Sequence, residues 1–252
     1  MSISATPVSV PLADTRKKLR IGLVVLASDP TIESSFRRML TPFGGVELFV
    51  NRIAFDGEIS VERLRDMEGD IRACAADILP GHPLDILLYG CTSASAAIGD
   101  QRVLALLKEA KPETKAVATP VTGLLAATTA LKLRRISVLT PYTPSVSEML
   151  GAYIEGLGLK VTALHCLGLV EDWDNGRVTP GSLCDLASGL DHARADAVFL
   201  SCTALQGAEA AARLEARIGM PVITSNQALL WHGLRAAGQQ LKIQGFGRLM
   251  DT

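Results

Sequence analysis

The sequence predicts an α/β protein of two pseudo-symmetric lobes, each a parallel β-sheet flanked by helices, with the active site between the lobes. Two observations lead to this prediction. Apolar runs typical of buried strands alternate with helical stretches along the chain, and the order of segments in the first half recurs in the second. A length of 252 residues allows two such lobes, each with a core of its own.

Six short apolar runs have the length and composition of buried parallel strands. They are bounded by Gly, Ser, Thr, Asp or Pro, as strands that end in turns usually are. These runs are IGLVVLA, DILLYG, KAVAT, RISVLT, AVFLS and PVITS. Helical stretches alternate with them, among them ESSFRRMLTPF, VERLRDMEGDIRACAADIL and GLLAATTALKLR. Such alternation implies parallel sheets covered by helices.

Three segments of the first half recur in the same order in the second half. IGLVVLASDP corresponds to ISVLTPYTP, DILLYGCTSASAAIG to DAVFLSCTALQGAEA, and KAVATPVTGLLAAT to MPVITSNQALLWHG. We therefore predict two related lobes. The first comprises residues 17–120 together with about 225–252, and the second about 121–224. Residues 1–16 are rich in Pro, Ser and Thr without periodicity, which predicts a flexible N-terminal arm.

Charge and composition favour a small-molecule ligand. The formal net charge is −1, and no basic block exists beyond RKKLR, so nucleic acid and anionic membranes are not expected partners. No apolar run approaches the about 20 residues of a membrane-spanning helix. The stretch RKKLRIGLVVLAS imitates a signal peptide, but it equally matches a first strand, and we expect a cytoplasmic protein. The sequence is compatible with a homo-oligomer but does not determine the oligomeric state.

The cysteines and histidines give no sign of a metal or a disulfide framework. The five cysteines are odd in number and lack close pairs, which predicts free thiols. The four histidines have no metal-ligand spacing, and no Gly-rich phosphate loop follows a strand. We therefore expect neither a metal nor a cofactor.

Two of the cysteines occupy equivalent places in the repeat. Cys91 and Cys202 each follow an apolar strand, precede a threonine and lead towards an Ala-rich helix. Ligands of open α/β sheets bind at the carboxyl ends of strands, and a helix N-terminus favours anions and thiolates. If the lobes face each other, the two thiols can exchange protons with opposite faces of one substrate. We predict that both are catalytic, that at least one has a depressed pKa, and that the hydroxyls of Thr92, Ser93 and Thr203 donate to the substrate.

At these residues the chain resembles the aspartate/glutamate racemase superfamily, within it the branch of maleate isomerase, arylmalonate decarboxylase and the ectoine-utilisation proteins. The resemblance covers about residues 18–235 and rests on YGCTSAS, LTPYTPSV, LSCTAL and SNQALLWHGL, with LASDPTIES and NRI near the front. It implies two pseudo-symmetric lobes, an interlobe site, no pyridoxal phosphate and no metal. Since the decarboxylase keeps only the second-lobe cysteine, two cysteines imply isomerase or racemase chemistry.

The resemblance also assigns substrate-binding positions. Tyr142 takes the place of the substrate-contacting tyrosine, whereas Asp29 stands where the pattern has an asparagine. A second asparagine falls on Asp172, with Glu171 as the alternative alignment. An ionised carboxylate in these places repels an anionic substrate and suits one that carries an amine or amidinium group. Alternatively, Asp29 only caps the next helix.

The sequence thus predicts a cofactor-independent two-cysteine isomerase or racemase that acts on a small carboxylate. The reaction is either a maleate-type cis-trans isomerisation or the racemisation of an amino acid or ectoine derivative. An arylmalonate-type decarboxylase and a ligand-binding relative without turnover remain the alternatives. A thiol redox pair is disfavoured, because such pairs usually stand close together as C-x-x-C.

Overall fold

The first of two parallel sheets is formed by the N-terminal half of the chain. The computed structural model describes residues 3–12, 18–192 and 194–252. The first four strands lie in the order β2-β1-β3-β4; they are β1 (Leu19–Leu26), β2 (Val46–Ile53), β3 (Ile86–Gly90) and β4 (Ala116–Ala118). All pairings between them are parallel, and every residue of β3 is buried.

The second sheet has the same topology as the first. Its order is β6-β5-β7-β8, again with parallel pairings throughout; the strands are β5 (Arg135–Thr140), β6 (Lys160–Cys166), β7 (Ala197–Leu200) and β8 (Val222–Thr224). The identical strand order confirms the repeat predicted from the sequence and the two-lobed α/β fold.

Helices flank both sheets. They are α1 (Ile32–Leu40), α2 (Val61–Asp66), α3 (Glu68–Ala76), α4 (Thr92–Ile98), α5 (Asp100–Ala110), α6 (Pro120–Ala130), α7 (Pro144–Gly156), α8 (Asp172–Arg177), α9 (Pro180–Ser188), α10 (Gly207–Ile218) and α11 (Ser225–Ala236), followed by a 3₁₀ helix, Arg248–Asp251. Within the described part of the chain, none of these helices is both long enough and apolar enough to cross a membrane.

All six predicted apolar runs are strands, but the sequence reading omitted the edge strands β2 and β6. Both edge strands are largely half-buried and carry polar residues among the apolar ones, so they lack the continuous apolar pattern of the inner strands. The long helical stretch VERLRDMEGDIRACAADIL is also divided in two. The break lies at Met67, whose carbonyl accepts from the Asp70 N–H in a tighter, 3₁₀-type turn.

The last helix ties the two halves of the chain together. Although α11 follows β8 of the second sheet, it packs against α6 and against β3 and β4 of the first. A Cβ at Gly123 of α6 would stand 2.4 Å from the Ala228 carbonyl oxygen of α11, so glycine permits this close backbone approach. The lobe boundaries near residues 120 and 225 stay predictions.

The N-terminal segment is described only in part. Residues 3–12 contain no helix or strand and are exposed. The rest of the predicted arm, residues 1–2 and 13–16, lies outside the described residues.

Candidate active site

Cys91 lies where β3 ends and α4 begins. It is the N-cap residue of α4, and its Sγ accepts a hydrogen bond from the Ala94 N–H at 3.4 Å. The Ser93 Oγ is 3.6 Å from the same sulfur. Only 5% of the residue is exposed. The apolar strand and the small residues after it thus place this thiol at the carboxyl edge of the first sheet, as predicted.

Cys202 lies at the equivalent edge of the second sheet but in a different local structure. The predicted helix does follow, but this helix, α10, begins only at Gly207, whereas α4 begins directly after Cys91. The Cys202 φ angle is 138°, a region that non-glycine residues rarely adopt. Its N–H donates to the Ser225 Oγ at 3.0 Å, which holds the strained backbone in place.

The two threonines after the cysteines link the two cysteine segments. The Thr203 hydroxyl donates to the Gly90 carbonyl at 3.0 Å, directly before Cys91. The Thr92 hydroxyl donates at 2.8 Å to Ser225, which also receives the Cys202 N–H. Each hydroxyl has a single proton, so in this state neither threonine donates to a substrate as predicted. Ser225, which the sequence reading did not assign, connects both cysteine segments.

Tyr142 lies near both thiols. The residue is buried, and its pKa is raised well above the ordinary value by burial and by the charges that Cys202 and Cys91 would carry as thiolates. It also interacts through its side chain with Cys202 and Ser93. One phenol thus contacts the surroundings of both cysteines, which places the two thiols in a single interlobe site.

Asp29 caps a helix and also faces the thiols. Its Oδ1 accepts from the N–H groups of Thr31 and Ile32 at 2.8 and 3.0 Å, so the capping interpretation is correct for this oxygen. Its Oδ2 is buried and has no hydrogen-bond partner. The Thr203 hydroxyl lies nearby, but its proton goes to the Gly90 carbonyl.

Asp172 begins α8 and is buried, whereas Glu171, the alternative alignment, is exposed. The Asp172 carboxylate accepts from the Ser28 hydroxyl at 2.7 Å and from the Asn175 Nδ2 at 3.3 Å. Asn175 is fully buried, with Nδ2 4.0 Å from the Cys202 Sγ. The sequence reading missed Asn175, although it stands in the stretch where an asparagine was expected, one helical turn after Asp172.

The electrostatics of the site contradict the prediction of a thiol with a depressed pKa. Burial and then the charge of Asp172 raise the pKa of Cys91 to about 12, and the same two causes raise that of Cys202 well above its ordinary value. The pKa of Asp172 is itself raised to about 6, by burial and by Asp29. Burial and two carboxylates therefore outweigh the favourable start of α4.

Backbone hydrogen bonds connect residues 57–59 of one lobe with residues 170–172 of the other beside the site. The Ile59 N–H donates to the Val170 carbonyl at 2.9 Å, and the Asp172 N–H donates to the Gly57 carbonyl at 3.2 Å. A cavity of about 440 Å³ lies outside this pairing. Its lining includes Ser28, Asp29, Arg52, Glu171 and Trp173. Asp29 thus stands between this opening and the buried thiols.

Comparison with known proteins assigns the family. A family model described as arylmalonate decarboxylase matches residues 58–250, more than half of the chain. The chain belongs to the arylmalonate decarboxylase family. This membership confirms the branch inferred from the cysteine motifs. Within the arylmalonate decarboxylase family, the *Bordetella bronchiseptica* arylmalonate decarboxylase is 34% identical over 136 residues, which cover 53% of this chain and 57% of that protein.

Relatives that match over nearly the full length are maleate isomerases. The Pseudomonas putida maleate isomerase is 28% identical over 245 residues, which cover 92% of this chain and 97% of that protein. The solved *Nocardia farcinica* maleate cis-trans isomerase bound to TRIS superposes with a TM-score of 0.86 at 25% identity, over 92% of this chain and 98% of that one. A cysteine-to-serine variant of that enzyme, with a covalently bound succinylcysteine intermediate, has the same fold, with a TM-score of 0.86 at 24% identity over the same shares.

Proposed function

We propose that the protein isomerises a small carboxylate by proton exchange or addition at Cys91 and Cys202, without a cofactor. The protein is a cysteine isomerase, in keeping with its full-length maleate isomerase relatives. The observation that carries the two-cysteine mechanism is that the thiols from equivalent edges of the two sheets share one buried site around Tyr142.

The mechanism starts with one of the two cysteines as a thiolate and the other as a thiol. In a racemisation, the thiolate of one cysteine takes the proton from the substrate carbon, and the electron pair of that C–H bond moves into the carboxyl group as an enolate. The other thiol then delivers its proton to the opposite face, and the pair ends with the proton on the first sulfur. In a cis-trans isomerisation, one thiolate adds to the alkene carbon, the other thiol protonates the neighbouring carbon, and rotation and elimination follow.

Two hydroxyls remain to hold the substrate carboxylate. The Ser93 and Tyr142 hydroxyls face the thiols and are not committed to the bonds that Thr92 and Thr203 make between the cysteine segments. Hydroxyl donors in a buried site stabilise the charge that develops on the carboxyl oxygens as the proton leaves. Ser93 and Tyr142 are thus the substrate-binding donors in this proposal.

Arylmalonate decarboxylation is the alternative that family membership raises. Loss of CO₂ leaves one carbanion that needs one proton, so a single thiol is sufficient for that reaction. Nothing in a decarboxylation requires a second thiol across the same site. The pair Cys91 and Cys202 therefore favours proton transfer on both faces.

The test is turnover in deuterated water. A panel of dicarboxylates, including maleate, and of small amino acids is incubated with the protein, and products are followed by proton NMR and chiral chromatography. We expect one compound to isomerise, or to exchange its carbon-bound proton, with at least a 100-fold loss in Cys91→Ala and Cys202→Ala. Cys166→Ser, at an exposed thiol, serves as the matched control. Turnover that survives in either alanine variant contradicts the two-cysteine mechanism.

A further inference from the structure

Two buried acceptor atoms beside the thiols have no donor. Asp29 Oδ2 and Asn175 Oδ1 are both buried and lack any hydrogen-bond partner. Buried polar atoms are normally paired, because leaving one unpaired forfeits the hydrogen bond it makes in water. The amide oxygen can only accept, and the Asp29 oxygen accepts when the carboxyl group is ionised. The ligand that completes this part of the site therefore brings N–H or O–H donors.

Asp172 fixes which end of the Asn175 amide faces the ligand. The Nδ2 group donates to Asp172 Oδ1 at 3.3 Å and lies 4.0 Å from the Cys202 Sγ. If the amide were turned over, its oxygen would face the carboxylate oxygen, which is repulsive. The amide thus offers its carbonyl to the ligand, whereas binding a substrate carboxylate requires the NH₂ group.

Arg52 acts on the Asp29 carboxyl only through its charge, which lowers the pKa of Asp29 by less than burial raises it. The Arg52 guanidinium donates to the backbone carbonyls of Leu26 and Asp29 at 3.1 and 3.0 Å and to Glu33 Oε2 at 3.3 Å. It is partly exposed and makes no hydrogen bond to the Asp29 carboxylate. The negative charge at the buried carboxylates is thus left for a ligand to offset.

We propose that Asp29, Asp172 and the Asn175 carbonyl form a subsite for a primary ammonium group of the substrate, next to the carbon on which the cysteines act. This inference rests on the proposed function and names the substrate class within it: a small amino acid, not a dicarboxylate without an amine. An ammonium group has three N–H donors and one positive charge, which matches the unpaired acceptors and the excess negative charge.

The bound ammonium group also assists the reaction. Burial, and then the charges of the two carboxylates, raise the pKa of both thiols and keep them protonated. A positive charge between the carboxylates offsets their effect and favours the state in which the thiols share one proton, from which the transfer starts. The same charge, next to the reacting carbon, stabilises the carbanion formed when the proton leaves. No oxidant or further reactant enters this scheme.

The experiment compares pairs of compounds that differ only by the amine. Binding of 2-aminobutyrate and butyrate, and of 2-aminosuccinate and succinate, is measured by calorimetry with the intact protein. We expect each amino compound to bind at least tenfold more tightly than its partner. Asp29→Asn keeps the capping oxygen, and Asp172→Asn removes the charge while keeping one of the two acceptor oxygens that Ser28 and Asn175 contact. Each exchange is expected to reduce the preference at least tenfold, with unfolding monitored to show that the fold is kept. Glu171→Gln, at the exposed neighbour, is the matched control and leaves the preference unchanged.

The outcomes separate this inference from the proposed function. If no amino compound binds better than its partner, or if both Asp variants keep the preference, the ammonium subsite is refuted. If maleate, which has no amine, turns over in a cysteine-dependent way and no amino compound does, the two-cysteine isomerase stands and only the ammonium subsite fails. If amino compounds bind selectively but the cysteine variants turn them over normally, the subsite stands and the two-cysteine mechanism fails.

Discussion

Replacing Asp172 by asparagine is expected to make both candidate thiols more reactive. Burial and then the Asp172 charge raise the pKa of Cys91 from 9.0 to about 12, which corresponds to about 4 kcal/mol against the thiolate. Because burial is the larger cause, removing the charge recovers at most half of this, or about 2 kcal/mol. At fixed pH near 8, the thiolate fraction then rises by about 3- to 30-fold.

The assay is the rate of iodoacetamide labelling of each cysteine, followed by mass spectrometry of peptides. Labelling depends on the thiolate, so the rates at Cys91 and Cys202 are expected to rise with the thiolate fraction. Cys74 is the internal reference, because its pKa is raised to about 11 by burial and by Asp77 and Asp70, not by Asp172. If Cys91 and Cys202 are each labelled at the same rate in Asp172→Asn as in the unchanged protein, and Cys74 is labelled equally in both, the electrostatic account of the site is refuted.

Three further changes test the fold around the site. Burial raises the pKa of Asp100 to about 6, so its ionisation opposes folding as pH rises from about 4 to 6. Asp100→Asn is therefore expected to raise the free energy of unfolding by about 1 to 3 kcal/mol at pH 7.5, measured by urea unfolding. This gain should vanish near pH 4. Gly123→Ala pushes a Cβ against the Ala228 carbonyl and is expected to destabilise by about 2 kcal/mol or more, whereas Gly69→Ala, in open space on α3, does not destabilise. Ser225→Ala leaves the Thr92 hydroxyl and the Cys202 N–H without an acceptor, at a cost of about 2 kcal/mol or more. The control Ser35→Ala removes a buried hydroxyl that has no partner, so a similar loss there would contradict the role given to Ser225.

The fold was predictable because its determinants are local and repeated. Inner strands such as β3 and β7 are apolar throughout, and each is followed by Cys-Thr, so the repeat is visible without a structure. The edge strands β2 and β6 were missed, since a strand that is half-buried carries a mixed pattern that resembles a loop.

The sequence indicates several residues that the structure places in the candidate site, but neither Asn175 and Ser225 nor the interactions within the site. Cys91, Tyr142, Asp29 and Asp172 are all buried around one interlobe position. The Thr92 hydroxyl donates to Ser225, which is 133 positions away in the sequence, and no local pattern contains such a contact. The direction of the thiol pKa shift likewise depends on the balance between burial and charge in three dimensions.

The two thiols meet one substrate from unlike backbones. Cys91 has an extended backbone with φ −149° as a helix cap, whereas Cys202 has φ 138° in a loop. The duplicated halves therefore hold the two candidate thiols in different backbone conformations. For a racemisation the equilibrium constant between mirror-image substrates is one, so kcat/KM must be equal in the two directions. If the two cysteines act in such a reaction, any ratio between the two kcat values must then appear as the same ratio between the two KM values.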